Sequence, residues 1–304
     1  MTDAVLNAPV ARRFRLPKGD LLPILTVLLV IVAIWYAGAI RMNAAWERDQ
    51  SARAGIELTL PDLVARTLTQ ERPVLPAPHQ VAAGLWEGVA GQAITSRRSL
   101  VWHAWVTLSA TLAGFAIGTA AGILLAAGIV HSRSMDQSVM PWAVASQTVP
   151  ILAIAPMVIV VMASAGITGL LPKALIAAWL SFFPVLVGMV KGLRTPDAMQ
   201  LDLMRSWSAS RGQVFARLRL PSSLPYLFAS LKVAIAAALV GTIVGELPAG
   251  ATAGLGARLL SGSYYGQTVQ IWSALFAAAI LAAALVAPIG WIERAVLGRM
   301  GLAR

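Results

Sequence analysis

Cysteine is absent from this 304-residue chain, and only 12% of its residues are charged. The lack of cysteine excludes disulfides, thiolate metal sites and cysteine nucleophiles. The low charge excludes an ordinary soluble domain, in which about a quarter of the residues are charged. The histidines His79, His103 and His131 are too scattered to form a metal site. The chain also lacks a Gly-x-x-x-x-Gly-Lys-Ser/Thr run, which excludes ATP binding through a P-loop.

Long apolar runs fill the chain instead, and hydrophobic residues make up 58% of it. About 20 consecutive apolar residues are enough to cross a hydrocarbon core of ~30 Å. The first run is too long for the apolar core of a cleaved signal peptide, so we expect it to remain as a helix. The runs predict an all-α integral membrane protein with about six transmembrane helices. The expected spans are residues 21–40, 101–130, 140–163, 172–191, 223–247 and 269–291.

The polar stretches between the runs define the domain organisation. Residues 1–20 form a basic tail, and residues 21–40 form the first transmembrane helix. Residues 41–99 carry balanced charges and several prolines, which is typical of an extramembrane segment. Residues 100–295 form the main transmembrane domain, and residues 296–304 form a short tail.

The distribution of basic residues predicts the orientation in the membrane. The net charge of +11 does not indicate nucleic-acid binding, because no aromatic and basic surface module accompanies it. Lysine and arginine instead collect in the cytoplasmic loops of membrane proteins. Residues 1–20, 131–139, 192–222 and 292–304 are basic, whereas the intervening short loops hold only Arg258. We therefore expect both termini in the cytoplasm and residues 41–99 on the periplasmic or extracellular side.

One of these cytoplasmic segments, residues 193–222, is patterned as two short helices. Thr195-Pro196 is expected to cap the first helix. One face of that helix carries Gln200, Leu203, Met204 and Trp207. A break is expected at Ser208-Ala209, and Ser210 with Gln213 forms a capping box for a second helix that ends at Pro221.

Two interpretations suit such a segment. A basic amphipathic helix can lie on the lipid headgroups, with its arginines next to anionic lipid. Alternatively, the segment offers a docking surface to a protein partner. Two capped helices with a defined bend favour docking, because binding to lipid requires neither feature.

Residues 202–221 resemble the EAA loop of binding-protein-dependent ABC importer permeases. The Leu220-Pro221 pair and the residues around Ala209 and Arg211 match the family pattern. Asp202 stands in place of the family's glutamate, and Ser208 in place of its glycine. Leu203 and Met204 replace the two alanines. The resemblance extends over about residues 100–295 and is nearest to the nitrate, sulfonate and taurine permeases and the pyrimidine and riboflavin permeases, with Gly245-Glu-Leu-Pro and Tyr264-Tyr265 favouring the heterocycle importers.

The resemblance implies a function and a set of partners. In this family the loop is a coupling helix that docks on a cytoplasmic ATPase, which binds the ATP and Mg²⁺. It implies that this chain binds no cofactor and catalyses no bond breaking. The expected partners are ABC ATPase subunits, an external solute-binding protein, a second permease copy and the lipid of a bacterial plasma membrane, the inner membrane in a Gram-negative cell. The expected coupling residues are Asp202, Leu203, Met204, Trp207, Ser208, Ala209, Arg211, Leu220 and Pro221.

Other residues are candidates for helix packing or for the translocation path. Gly114, Gly118 and Gly122 form a small-residue face that favours packing within the chain over a dimer contact. Prolines and polar residues that interrupt the third span either line a polar path or produce a simple kink. Ionisable residues within a span are functional candidates by default. The residues proposed for the path are Gln147, Thr148, Pro150, Pro156, Lys232 and Glu246.

The two ionisable residues of the fifth span cannot pair with each other. Lys232 and Glu246 are 14 positions apart, which is about 21 Å along a helix. We expect Lys232 to snorkel or to bind a neighbouring carbonyl, and Glu246 to lie at the outer gate or to have a structural role. His103, between Trp102 and Trp105, is expected in an interfacial aromatic belt.

The sequence thus predicts the permease subunit of an ATP-driven ABC importer. Its solute is expected to be a small nitrogen heterocycle or an anion of the nitrate or sulfonate type. The main alternative is an ion-coupled secondary transporter, but the chain shows no convincing internal repeat and few intramembrane carboxylates. A membrane-embedded enzyme would need a clustered nucleophile and base, and no such cluster is visible.

Overall fold

The computed structural model describes residues 21–247 and 251–301 of the chain. Across these residues the regular elements are helices, and no strand occurs among them. The predicted all-α fold is therefore confirmed. The expected tail at residues 1–20 and the last residues of the expected tail at 296–304 lie outside the described residues.

The chain divides into two compact units at Gln80. The first unit contains α1 (Leu21–Arg53) and α2 (Leu60–Thr69). The α1 helix is longer than the predicted span at 21–40, because helix-forming residues continue past the apolar run. Asn43, buried in α1, fastens the following chain by accepting from the backbone N–H of Val74 at 2.8 Å and donating to the carbonyl of Leu75 at 3.0 Å. Residues 41–99 are thus largely folded.

The second unit begins at Val81 and holds the rest of α3 (Pro78–Ala90) and all later helices. Together with α1, three single helices and the continuous stretch Arg211–Gly245 are long and apolar enough to cross a membrane. The bent pair Arg133–Ser146 and Ile151–Ser164 counts as one more. The later helices are α4 (Leu100–His131), α5 (Arg133–Ser146), α6 (Ile151–Ser164), α7 (Leu170–Leu193), α8 (Ala198–Ser206), α9 (Arg211–Val214), α10 (Leu220–Gly245), α11 (Leu255–Tyr264) and α12 (Thr268–Arg299).

The third expected span is not a straight helix. Its two parts, α5 and α6, meet at an angle of 98°. Gln147 closes α5, and Pro150 opens α6. Pro150 has no N–H to continue the ladder and forces the residue before it out of the helical region, so the predicted span at 140–163 breaks there.

Packing between α4 and α7 forms the centre of the second unit. Gly114, Gly118 and Gly122 are buried against α7, and a Cβ added at Gly122 would lie 2.7 Å from the carbonyl oxygen of Phe182. Small residues allow this approach of two backbones. Gly114 faces Ala174 at the start of α7, so the two helices run parallel.

Two parallel neighbours require the chain to return between them. His131 is the last residue of α4, and its ring centroid lies 4.9 Å from that of Phe215. Asp136 in α5 pairs at 2.8 Å with Arg194, which follows α7. The α5–α6 pair therefore carries the chain back across the bundle and is a broken span. It also follows that residues 131–139 and 192–222, both expected in the cytoplasm, meet at the same end of the unit.

A proline that was expected to end a helix lies within one. Residues 211–245 form one continuous helix that passes through a π-helix at Phe215–Arg219 and includes Pro221. The ring of Pro221 would clash with the carbonyl oxygen of Arg217 in a regular α-helix. The wider π turn just before it changes this spacing, and the helix continues.

The α4–α7 packing predicts opposite effects for the same substitution at two glycines. Gly122→Ala should destabilise the protein by about 1–3 kcal/mol, because its methyl group would meet α7 backbone that cannot easily move. Gly290→Ala in α12 meets open space and should be neutral or stabilising by up to about 1 kcal/mol. Thermal unfolding of both variants in lipid nanodiscs measures the difference, and equal melting temperatures would contradict the packing argument.

Candidate functional site

The polar segment between α7 and α10 begins with an aspartate cap. Asp197 Oδ1 accepts from the backbone N–H of Gln200 at 2.7 Å, and Gln200 Oε1 accepts from the N–H of Asp197 at 3.2 Å. The prediction that Thr195-Pro196 caps this helix was wrong by two residues. A carboxylate next to the helix N-terminus also interacts favourably with the helix dipole, so Asp197 is the better cap.

The α8 helix carries a row of exposed apolar side chains. Met199, Leu203 and Trp207 follow one another at a spacing of four residues, and 81%, 51% and 70% of their surfaces are exposed. Leu203 and Trp207 belong to the predicted face, whereas Met204 is half-buried. The sequence argument missed Met199, although its spacing from Leu203 was a usable signal.

The bend between α8 and α9 is centred on Ser208. Its φ is +54°, and no other described non-glycine residue has a positive φ. Next to it, Ser210 and Gln213 form the expected capping box, with the N–H of Ser210 donating to Gln213 Oε1 at 2.8 Å. Residue 208 thus adopts a backbone conformation that favours glycine, although the residue is serine.

The far end of the segment is fastened to the bundle. Arg219 Nη1 donates to the carbonyl of Leu193 at 2.9 Å, which joins the last residue of α7 to the π-helix. Of the other predicted coupling residues, Asp202 accepts from Arg205 at 2.8 Å on the exposed surface. Ala209 is half-buried, Arg211 is exposed, and Leu220 with Pro221 begins α10.

A second polar site surrounds Glu246 at the opposite end of α10. Glu246 is completely buried. Its carboxylate accepts from Thr107 Oγ1 at 2.9 and 3.1 Å, from the N–H of Gly256 at 3.0 Å and from Lys173 Nζ at 3.3 Å. The cluster therefore joins α4, α7, α10 and α11 through one carboxylate.

The same cluster holds the backbone that leads into α11. The N–H of Gly254 donates to His103 Nδ1 at 3.0 Å, and the N–H of Leu255 donates to Thr107 Oγ1 at 2.9 Å. Lys173 Nζ donates to the carbonyl of Ala253 at 2.9 Å. The first N–H groups of a helix have no partner within it, and these side chains supply partners for α11. Gly254, with φ +124°, lies directly against the Glu246 carboxylate, where a Cβ would not fit.

His103 is part of this site and not of an aromatic belt. Only 3% of it is exposed, and its Nε2 lies 2.9 Å from the carbonyl oxygen of Arg97. Because Nδ1 accepts from Gly254, the hydrogen-bond network places the ring proton on Nε2. Sequence reasoning also missed Thr107 and Lys173. Lys173 had a signal, since it is a lysine at the start of an apolar run.

The structure does not bring the residues predicted for the translocation path together in one place. Gln147, Thr148 and Pro150 are exposed at the α5–α6 bend, and Pro156 is exposed on α6. Glu246 belongs to the buried cluster. Lys232 forms an ion pair with Glu293 of α12, a partner that the sequence analysis did not name.

Residues 118–301 match the family described as the binding-protein-dependent transport system inner membrane component. The chain belongs to this permease family. It is 32% identical over 222 residues to the riboflavin transport system permease protein RibX of Chloroflexus aurantiacus, covering 73% of this chain and 78% of the relative. It is 31% identical over 184 residues to the formylaminopyrimidine transport permease protein ThiX of Halalkalibacterium halodurans, covering 60% and 68%. It is 24% identical over 250 residues to the nitrate import permease protein NrtB of Synechococcus elongatus, covering 79% and 86%.

Membership gives the two polar sites a context. The permease is the membrane subunit of an ATP-driven ABC importer of the bacterial inner membrane, as the resemblance implied. Such an importer includes an ATPase and a solute-binding protein. The helix–bend–helix lies at one end of the permease bundle, and the buried Glu246 cluster lies at the other.

The Glu246 cluster predicts a large loss of stability on truncation. Glu246→Ala should destabilise the permease by about 3–5 kcal/mol, because it removes the counter-charge of the largely buried Lys173 ammonium and the acceptor of the Gly256 N–H. Asp49→Ala is the matched control, since Asp49 pairs with Arg53 on the exposed surface of α1. That variant should lose less than about 1 kcal/mol. If thermal unfolding shows similar losses of stability in the two variants, the cluster contributes no more to stability than the exposed Asp49–Arg53 pair, and the prediction is wrong.

The strained bend predicts that Ser208→Gly stabilises its surroundings. Removing the Cβ from a residue in the left-handed conformation should raise the free energy of local opening by roughly 1 kcal/mol and slow amide exchange. Ser206→Gly, two residues earlier and inside α8, should have the opposite effect, because glycine weakens a helix. Hydrogen exchange of amides 198–214 measures both variants. Faster exchange in Ser208→Gly would show that the bend does not depend on positive φ.

Proposed function

We propose that the segment Asp197–Pro221 of this permease docks on the cytoplasmic ATPase and transmits its movement to the membrane helices. The observation that carries this proposal is the row of exposed apolar side chains on α8 and at its C-cap, which are Met199, Leu203 and Trp207. Apolar side chains that remain in water in the free subunit are typical of a surface that a partner covers. Aromatic residues such as Trp207 often supply much of the binding energy at such a surface.

The fixed position of the segment supports docking over simple contact with lipid. A helix that lies on headgroups needs only an apolar face and basic residues. This segment has two capping boxes and a hydrogen bond from Arg219 to the end of α7, which hold it in one geometry. Lipid surrounds the exposed apolar sides of the spans in this proposal, and the ATPase covers α8.

A continuous helix supports transmission from the segment to the far end of the permease. Residues Arg211–Gly245 form one helix of 35 residues, which is about 50 Å long at a rise of 1.5 Å per residue. It begins within the docking segment, at Arg211, and ends next to Glu246. A push at α9 would therefore reach the polar cluster at the opposite end through a single rigid element.

We further propose the orientation and assembly predicted from the sequence. Both termini lie in the cytoplasm, residues 41–99 lie outside, and residues 100–295 form the transporting domain. Two copies of the chain enclose the path, and ATP and Mg²⁺ bind to the ATPase, with no catalytic site or cofactor on the permease. The meeting of residues 131–139 with residues 192–222 at one end of the bundle supports this orientation.

The proposed solute is a small nitrogen heterocycle supplied by the external binding protein. RibX and ThiX, named for riboflavin and formylaminopyrimidine transport, share 32% and 31% identity with this chain. NrtB, named for nitrate import, shares 24%. A nitrate- or sulfonate-type anion is the second candidate.

Co-purification of the permease with the ATPase of the same importer tests the docking proposal. Leu203→Arg should weaken association by about 2 kcal/mol, roughly thirtyfold in Kd, because it places a charge in the apolar contact. Leu60→Arg is the matched control, since Leu60 is also an exposed leucine, in α2 of the first unit. Association that survives Leu203→Arg together with Trp207→Ala would refute the docking surface.

A further inference from the structure

A cavity of about 570 Å³ lies beside the Glu246 cluster. It is lined by α4, α6, α7 and the chain leading into α11, and its walls are mainly apolar. Binding sites for small organic ligands have volumes of roughly 300–1,000 Å³ and combine apolar walls with a few polar groups. The size and lining of this cavity therefore suit a ring-shaped organic solute.

Lys173 is the sole charged side chain among the described residues that line the cavity. Its side chain is 13% exposed, and its charge is balanced by Glu246 at 3.3 Å. An anion entering the cavity would meet an ion pair with no net charge. Since moving a charge out of water is costly without an opposite charge, the cavity disfavours nitrate, sulfonates and other anions.

Lys173 nevertheless retains a hydrogen-bond donor. Among the described residues its ammonium donates to Glu246 Oε1 and to the carbonyl of Ala253. An ammonium has three N–H groups, so one is left for a ligand. A carbonyl oxygen accepts such a bond without bringing a negative charge.

An acceptor faces the same cavity from α4. The hydroxyl of Ser109, which lines the cavity, donates to the carbonyl of Val106 at 2.9 Å. Its oxygen lone pairs can still accept from a ligand N–H. The cavity thus presents at least one donor and one acceptor, and the hydroxyls of Thr168 and Thr252 in its lining can act as either. A cyclic amide or imide carries both a C=O and an N–H group and can bond to such a set.

From these features we infer that the cavity binds an uncharged heterocycle with an amide or imide edge, and that the Lys173–Glu246 pair excludes the charged analogue. This inference rests on the proposed importer function, because it assigns part of the transport path and selects between its two solute classes. Lys173 and Ser109 contact the solute. Glu246 is a positioning residue that also neutralises the charge of Lys173.

Two probes that differ by one carboxylate test the inference. Uracil is a neutral imide, and orotate is the same ring with an added carboxylate. The full-length permease in lipid nanodiscs is titrated with each probe, and the rise in melting temperature gives an apparent Kd. We expect uracil to bind at least tenfold more tightly than orotate, and nitrate to cause no rise at concentrations that saturate uracil.

Two variants separate the cavity from indirect effects. Ser109→Leu should fill the cavity and weaken uracil binding at least tenfold, whereas Ala116→Leu on an exposed face of α4 should leave it unchanged. Glu246→Gln removes the balancing charge and should improve orotate binding relative to uracil at least threefold. The Ser109→Leu and Ala116→Leu pair remains decisive if Glu246→Gln fails to fold.

The inference is overturned if neither probe raises the melting temperature, if orotate binds as tightly as uracil, or if Ser109→Leu leaves uracil binding unchanged. None of these measurements requires the ATPase. If the docking proposal is wrong, only the co-purification result shows it. If the cavity proposal is wrong, only the solute-binding result shows it, so the two failures can be distinguished.

Discussion

The second unit is organised around one carboxylate that has no access to solvent. A buried charge requires a counter-charge and hydrogen-bond donors, and Glu246 obtains these from Lys173, Thr107 and the N–H of Gly256. Each donor comes from a different element, so α4, α7 and α11 must all be in place around the end of α10. The glycine face of α4 allows the close approach that brings Thr107 and Lys173 within reach of the same group. The hydrogen bonds to Glu246 therefore depend on the close packing of α4 against α7.

This arrangement also relates the two ends of the permease. The helix that begins at Arg211, within the segment proposed for docking, ends at the Glu246 cluster. Its movement cannot be absorbed at a flexible joint near the cavity, because the residue after the helix is fixed by three elements. The wall of the cavity and the surface proposed for the ATPase thus belong to one mechanical unit. Such a connection is what alternating access requires, since an event on one side of the membrane must change a site near the other side.

Sequence reasoning succeeded where the signal was local. Apolar runs gave the helices, the four-residue repeat of Gly114 to Gly122 indicated close packing, and Ser210 with Gln213 gave a capping box that the structure contains. It failed where the outcome depended on distant partners. The environment of Glu246 involves Thr107, 139 positions away, and no local pattern reports that distance. Pro221 looked like a helix end because the rule for proline assumes regular α-helical spacing, and the π turn before it removes that assumption.

That π turn has a consequence for rotation. One turn of a π-helix holds about one residue more than an α-helical turn, and one residue corresponds to about 100° around the axis. Phe215–Arg219 therefore fixes the rotation, about the helix axis, of the residues before it relative to those after it. This rotation determines the direction in which α8 presents its apolar row. An insertion or deletion of one residue in this turn would point the proposed docking surface in another direction without altering any side chain on that surface.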